Sequence, residues 1–405
     1  MRVLIVTQYF WPESFRITDL ALALKERGHE VTVLTGMPNY PAGKVYAGYS
    51  WRLKRRETMH GIPVVRVPLF ARRESKSWQL VLNYLSFAIS GCTLGAWMLR
   101  KQAFDMVFTF EVSPVTVGIP ANMIARQKSA THFFWVQDLW PETLLATGAV
   151  KSPIVLSAVA TMVKAIYHRC DKILVQSKSF VEPVVAVGGE REKIEYFPNW
   201  AETLYQPVDL DDTVQERQLL PSDGFIVMFA GNLGEAQSLD TIVDAARLLR
   251  DEAIHWVFLG DGRRRAWLEE VQQAEDLDKL HVLGSFPMDK MPVFFALADA
   301  MLVTLRDDPV MSTTIPGKVQ SYLACGRPVI GALTGESAKV IDESGAGYSV
   351  KSGDVCALAA AVLKMSQLSD AERDEMGEAA LRYYQNNFDR NMLVQQLEGW
   401  MDDIC

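Results

Sequence analysis

The 405-residue chain has no C-x-x-C pair, no G-x-G-x-x-G, no low-complexity run and no internal repeat. Its five cysteines, Cys92, Cys170, Cys325, Cys356 and Cys405, are scattered and odd in number. That excludes a disulfide framework and a thioredoxin-like motif, and fits reduced thiols in a cytosolic protein. The first strand–helix turn, Thr7-Gln-Tyr-Phe-Trp-Pro-Glu-Ser-Phe15, lacks glycine, which argues against a nicotinamide dinucleotide. Met1 leads straight into Arg2-Val-Leu-Ile-Val6, a strand-like run rather than a signal peptide. Asp209, Asp211 and Asp212 fall in a linker and Asp307-Asp308-Pro309 in a turn, so all read as solvated acids and no metal is expected. Basic residues are not interleaved with stacking aromatics on a sheet face, so no nucleic-acid partner is expected.

What is present is a globular chain, 49% hydrophobic and 22% charged, long enough for two domains. Charge is unevenly shared. Residues 1–200 hold 24 Lys+Arg against 15 Asp+Glu, a net +9, and residues 201–405 hold 17 against 34, a net −17. The basic half suits an anionic lipid surface or a phosphorylated substrate.

The chain is organised around residues 315–330. Pro316-Gly317 makes a turn, and Val319, Tyr322 and Leu323 follow at helical spacing. Gly326 and Pro328 end the helix, and Val329-Ile330 starts a strand. Lys318 opposes the dipole in the first turn of this helix, a poor choice for stability and a good one if an anion sits there.

Elsewhere strands and helices alternate. In the first half we expect strands at 2–7, 31–35, 64–68, 106–110, 132–136 and 172–176, with helices at 17–28, 116–126 and 154–169. A proline-bearing linker, 197–207, breaks the rhythm. Strands at 225–229, 255–259, 281–283 and 300–304 follow, with helices at 239–250, 265–275, 292–298, 355–367 and 388–405. The expected fold is α/β, with two doubly wound Rossmann-like domains facing across a cleft, ligands binding at the carboxyl ends of the strands. The expected divisions are 1–197, 198–387, and a tail helix 388–405 returning to the first domain. Gly231-Asn-Leu-Gly234 and Gly260-Asp-Gly262 each follow a strand, where glycine lets backbone approach a ligand. Arg263, Arg264 and Arg265 follow the second turn.

With these residues in place the chain resembles the retaining glycosyltransferases of family 4, of the two-Rossmann GT-B type, closest to the WbuB/WcaI-like surface-polysaccharide branch. The motifs are Gln8-Tyr-Phe-Trp-Pro-Glu13, Arg27-Gly-His-Glu-Val-Thr-Val-Leu-Thr35, Pro38-Asn-Tyr-Pro41 and Gln137-Asp-Leu-Trp-Pro-Glu142. In the second half they are Pro198-Asn-Trp200, Gly231-Asn-Leu-Gly-Glu-Ala-Gln237, Gly260-Asp-Gly262, and Pro316-Gly-Lys318 through Gly326-Arg-Pro328. The resemblance implies a nucleotide-sugar donor in the C-terminal domain, UDP-linked and carrying an N-acetylated or 6-deoxy hexose. It implies an acceptor in the N-terminal domain: a surface glycan (O-antigen, capsule or exopolysaccharide) on a polyprenyl diphosphate. No cofactor besides the donor is implied.

Carried over by residue, Gly231, Asn232 and Gly234 cradle the diphosphate by backbone, and Lys318, at the Pro316-Gly317 turn, supplies positive charge, with Arg263 as a possible helper. Gly260, Gly262 and Phe286 border the nucleoside, and Gln137-Asp138 face the donor sugar and acceptor hydroxyl. Three positions depart from the family. The usual glutamate pair is Thr313 and Ser321, and either Glu336 or Gln320 could replace one contact. The usual basic residue after the glycine loop is Gln237, and the usual histidine before Asp138 is Gln137. Retention without an enzyme nucleophile implies front-face attack, with a diphosphate oxygen, Asp138 or Glu111 taking the acceptor's proton. A GT-B nucleotide-sugar epimerase, or a silent scaffold of a polysaccharide assembly complex, are the alternatives.

Residues 77–99 carry no charge and are long enough to span a bilayer. Basic residues flank both ends, so the positive-inside rule assigns no orientation. The stretch also sits inside a parallel-sheet domain. A buried core helix and an interfacial helix are the two readings that respect this. In the second, Trp78, Tyr84 and Trp97 lie among headgroups and 51–56 (Trp-Arg-Leu-Lys-Arg-Arg) adds a basic patch, placing the protein on the inner face of the plasma membrane.

Overall fold

A computed structural model describes the chain except residues 51–54, 73–76, 147, 149, 151, 212–213, 276 and 404–405. It divides into two compact units, Met1–Pro198 with Leu393–Cys405, and Asn199–Met392.

The first unit is built on an eight-stranded sheet in the order β3-β4-β2-β1-β5-β6-β7-β8. The strands are β1 (Arg2–Val6), β2 (Glu30–Gly36), β3 (Arg56–Met59), β4 (Ile62–Val67), β5 (Met106–Glu111), β6 (Thr131–Val136), β7 (Lys172–Val175) and β8 (Ile194–Tyr196). Every pairing is parallel except β3 with β4. Central strands such as Val3-Leu-Ile-Val6 are buried on both faces, as a helix-covered parallel sheet requires. The expected strand at 64–68 begins earlier and is the second arm of a hairpin. Its turn is His60-Gly61, with φ of 46° and 78°. The first arm, Arg-Glu-Thr-Met, is a polar edge strand and shows no apolar run.

Residues 77–99 form one helical column, Ser77–Ser90 and Ala96–Leu99 joined by a π-helical turn, Gly91–Gly95. One face packs on the sheet layer through Phe87 and Leu99, and Asn83 accepts from the Gln8 amide at 2.7 Å. The glycines permit this: a Cβ on Gly91 would lie 2.9 Å from Pro120 Cβ. The other face is open, with Trp78 56%, Ile89 64% and Trp97 59% exposed. The wholly buried reading is therefore wrong. Tyr84 is also corrected: its ring packs inward, edge-on to Trp140 at 6.0 Å. By length and composition alone, Trp78–Leu99 is apolar enough to cross a membrane. Most of the 51–56 basic patch lies outside the described residues; Arg56 within it donates to Met98 O at 2.7 Å.

The helix Arg390–Asp402 packs with this first unit. Glu398 accepts from Arg27 at 2.7 Å and lies 2.9 Å from the His29 ring, and the Trp400 ring meets Phe197 at 6.0 Å.

The second unit carries a six-stranded parallel sheet, β11-β10-β9-β12-β13-β14. Its strands are β9 (Phe225–Ala230), β10 (Ile254–Leu259), β11 (Leu280–Gly284), β12 (Ala300–Thr304), β13 (Val329–Ala332) and β14 (Gly347–Val350). Two helices here escape the sequence reading, Glu336–Ser344 and Asp370–Asn387. The longer one buries only Gly377 and Ala380, so it has no apolar stripe to read. Its start does carry a signal, a capping box between Ser369 and Glu372.

Candidate functional site

In the second unit, two glycine turns sit at the carboxyl ends of β9 and β10. Gly231 has φ 136° and Gly260 φ 139°, both reserved for glycine. A Cβ on Gly260 would strike the Gly231 carbonyl, so the two loops can only meet this closely without side chains. Their backbones are also bonded together: Gly231 N–H donates to Leu259 O and Leu233 N–H to Asp261 O, both at 2.8 Å. The expected cradle is thereby narrowed. The amides of Gly231 and Leu233 are used within the fold, while those of Asn232 and Gly234 have no backbone partner among the described residues.

Against this loop lies the helix Gly317–Ala324, with Pro316 as its N-cap residue in extended conformation. Tyr322 ties the two elements. Its hydroxyl accepts from Ala230 N–H and donates to Ala230 O, each at 3.1 Å. Lys318 in the first turn then reaches Gly231, where a Cβ would come within 3.5 Å of Lys318 Nζ. Nζ donates to Gln237 Oε1 at 2.6 Å and lies 3.9 Å from the Phe229 ring centre. Burial pushes this ammonium down to about 7. Gln237 is itself held: its N–H donates to Gly234 O at 3.1 Å, and its carbonyl accepts from the Thr304 hydroxyl. The structure thus gathers Gly231, Asn232, Gly234, Gln237, Gly260, Gly262, Pro316, Gly317 and Lys318.

Other expected residues stand differently. Gln320 is fully buried, and its amide donates to Asn199 O at 3.0 Å. It anchors the Asn199 segment through its amide nitrogen, while its Oε1 is buried without a hydrogen-bond partner among the described residues. Ser321 returns its hydroxyl to Gly317 O at 3.1 Å, the i−4 carbonyl of its own helix. Glu336, 6% exposed, opens the helix Glu336–Ser344, just after Gly335, on which a Cβ would strike Ser312 O. That places it beside the turn leading into Pro316. Arg263 is exposed, and among the described residues it has no ion-pair partner. Its neighbour Arg264 is committed to Glu235 at 3.1 Å and Asp240 at 2.8 Å. Phe286 is half-buried, its ring 4.6 Å from that of Phe294.

In the first unit, Glu111 and Asp138 meet at the carboxyl ends of β5 and β6. Glu111 is fully buried and accepts from the amides of Ser113 at 3.2 Å and of Gln137 and Asp138 at 3.3 Å. Burial raises its carboxyl well above the usual range, and the Asp138 charge adds to this. Glu111, 0% exposed, braces this rim through the three amides and stands back from solvent. Asp138 is less enclosed, and its carboxyl is raised by burial against a hydrogen bond from Ser113.

Sequence reasoning gave Glu13 no role although it quoted its motif. Glu13 Oε1 accepts from Asn39 and Tyr40 amides at 2.7 Å, and Oε2 from Phe10 N–H at 3.3 Å. It therefore joins the Gln8–Glu13 and Pro38–Pro41 motifs into one rim and stacks Tyr9, Phe15 and Tyr40. An acidic residue two motifs away from its amides has no local sequence signal.

Two Rossmann-like units in one chain are the GT-B architecture of glycosyltransferases. The chain belongs to these enzymes. Residues 14–200 match the family of glycosyl transferase 4-like domains, and residues 224–367 match glycosyl transferases group 1. The colanic acid biosynthesis glycosyl transferase WcaI of Escherichia coli (strain K12) is 29% identical over 311 residues, 75% of each chain. The glycosyltransferase WbjE of Pseudomonas aeruginosa is 24% identical over 246 residues, 59% of this chain and 61% of its own. Among solved structures, HepE of Anabaena in complex with UDP superposes over 100% of both chains, with a TM-score of 0.70 at 15% identity.

Proposed function

We propose that the protein transfers an N-acetylated or 6-deoxy hexose from a UDP-linked donor to a growing surface glycan carried on a polyprenyl diphosphate, with retention and without a metal. The observation that carries this is the amine of Lys318 set beside Gly231 at the start of the helix Gly317–Ala324. As the glycosidic bond breaks, charge grows on the departing diphosphate, and donors already aimed at it lower the barrier. Lys318 supplies the cation, while the amides of Asn232, Gly234 and the first helical turn supply dipoles. Asp138 is the carboxylate placed to receive or orient an acceptor hydroxyl in its own unit, and its raised affinity for protons suits that work. Glu336 is the residue proposed to stand in for the missing glutamate contact. The UDP held by HepE supports the choice of nucleotide. The open apolar face of residues 77–99 supports an acceptor met at the cytoplasmic leaflet of an anionic membrane.

A thermal-shift panel of UDP-, GDP- and ADP-sugars tests the donor, since a ligand stabilises by mass action. Stabilisation by UDP-sugars alone is expected. The anomeric configuration of the product and turnover in chelator test retention and metal independence, and donor conversion without acceptor would indicate an epimerase instead.

A further inference from the structure

The donor reading places a diphosphate beside Lys318, and the surroundings of that side chain determine the charge it carries beforehand. Lys318 is partly buried, with Nζ beside Gly231 and 3.9 Å from the Phe229 ring centre, and its hydrogen-bond acceptor is a neutral amide, Gln237 Oε1 at 2.6 Å. The acids on adjoining elements are occupied elsewhere. Glu235 faces Arg264 at 3.1 Å and Arg306 at 3.6 Å, and Asp240 faces Arg264 at 2.8 Å. Glu336 faces Lys339 at 3.8 Å. Asp307 accepts from the Thr334 hydroxyl, and Asp308 from the amides of Val310 and Met311. Among the described residues none of these acids pairs with Lys318. An ammonium set against an aromatic ring with no counter-charge gives up its proton more readily, and desolvation is the cause of the lowered value at this position.

We infer that Lys318 is only partly charged in the free protein near neutral pH and takes up a proton when the nucleotide diphosphate binds, with Gln237 as the neutral partner that positions the amine until then. This rests on the donor reading. The proton comes from solvent and adds to the amine, and the bound diphosphate then supplies the missing counter-charge. A basic residue in place of Gln237 would repel the ammonium, and an acidic one would hold it charged. The glutamine does neither. Because binding raises the proton affinity of Lys318, nucleotide affinity is greatest at low pH and falls as pH rises through the free value.

The test is calorimetric titration with UDP-glucose, whose diphosphate is fully esterified, from about pH 6 to about pH 8.5 in buffers of different ionisation heat. For the native protein, affinity is expected to fall about tenfold per pH unit above about pH 7, with about one proton taken up per nucleotide at about pH 8. Lys318→Arg stays charged throughout, so its affinity is expected to be flat with no proton uptake. Lys318→Met is expected to be flat and weak, which serves if the arginine does not fit. Gln237→Glu is expected to move the fall to higher pH, an effect that loss of packing alone does not produce. Native binding that is flat with pH and takes up no proton overturns the inference and leaves the donor reading standing. No binding of UDP-, GDP- or ADP-glucose at any pH overturns both.

Discussion

Tyr322 and Ala230 exchange two hydrogen bonds, one in each direction, across two elements that are 92 residues apart in sequence. The phenol is fully buried, so it has no water to fall back on. This contact sets how far the start of the lysine-bearing helix stands from the Gly231 turn. Tyr322→Phe keeps the ring and strands the Ala230 groups. A loss of about 1–3 kcal/mol is expected from urea unfolding with an unchanged m-value. Nucleotide affinity should fall as well. A variant as stable as the native protein would show that the two elements are held by packing alone.

Lys318→Ala should separate catalysis from folding. A charge-assisted contact of this kind is worth about 1.5–3 kcal/mol, so turnover with a UDP-sugar should drop about 10- to 150-fold. Melting temperature should not fall, because the amine sits beside a neutral partner and its removal leaves no charge behind. Turnover within about twofold of native would remove Lys318 from the reaction.

Glu111 should give the fold a pH dependence of known sign. Its carboxyl binds protons more tightly in the folded chain than in the unfolded one, where the value is about 4.3. Its ionised form therefore costs stability. The favourable contribution is complete below the unfolded value and is lost as pH rises through the raised folded value. Asp138, raised in the same direction, adds to the slope. Unfolding free energy measured from about pH 4 to about pH 8 should decline along this window, and the decline should be shallower in Glu111→Gln. An equal slope in both proteins would place the raised group elsewhere.

The open face of residues 77–99 should meet anionic lipid. Trp78, Val81, Leu82, Leu85 and Ile89 recur at helical spacing and are all exposed. The native protein should sediment with vesicles of phosphatidylcholine and phosphatidylglycerol at low salt and release at high salt. Val81→Asp with Ile89→Asp, at positions 50% and 64% exposed, should abolish sedimentation and leave UDP affinity intact. Native protein that ignores such vesicles would assign this face to a protein partner.

Much of the architecture could be read from the chain before its folding was known. Runs such as Val3-Leu-Ile-Val6 and Phe225-Ile-Val-Met-Phe-Ala230 are apolar throughout because both faces of a helix-covered sheet exclude water, and that requirement is local. The glycine turns after β9 and β10, and a lysine in a helix's first turn, were legible for the same reason: each rests on the stereochemistry of a few adjacent residues. Elements without such a pattern stayed hidden. The hairpin arm Arg56–Met59 is a polar edge, and the helix Asp370–Asn387 buries almost nothing.

Only the tertiary structure decided what surrounds each candidate residue. From sequence, Asp138 and Glu111 were both candidate bases, and Glu336 and Gln320 were alternative replacements for a contact missing at Thr313 and Ser321. Folding buries Glu111 under three amides, turns Gln320 to the Asn199 carbonyl, returns Ser321 to its own helix and leaves Glu336 at a helix start. It also joins Gln237 to Lys318 across 81 residues and gathers Glu13 with Tyr40. Hydrogen bonding and desolvation depend on which groups come within about 3 Å of one another. Chain order does not set those distances; the packing of the whole unit does.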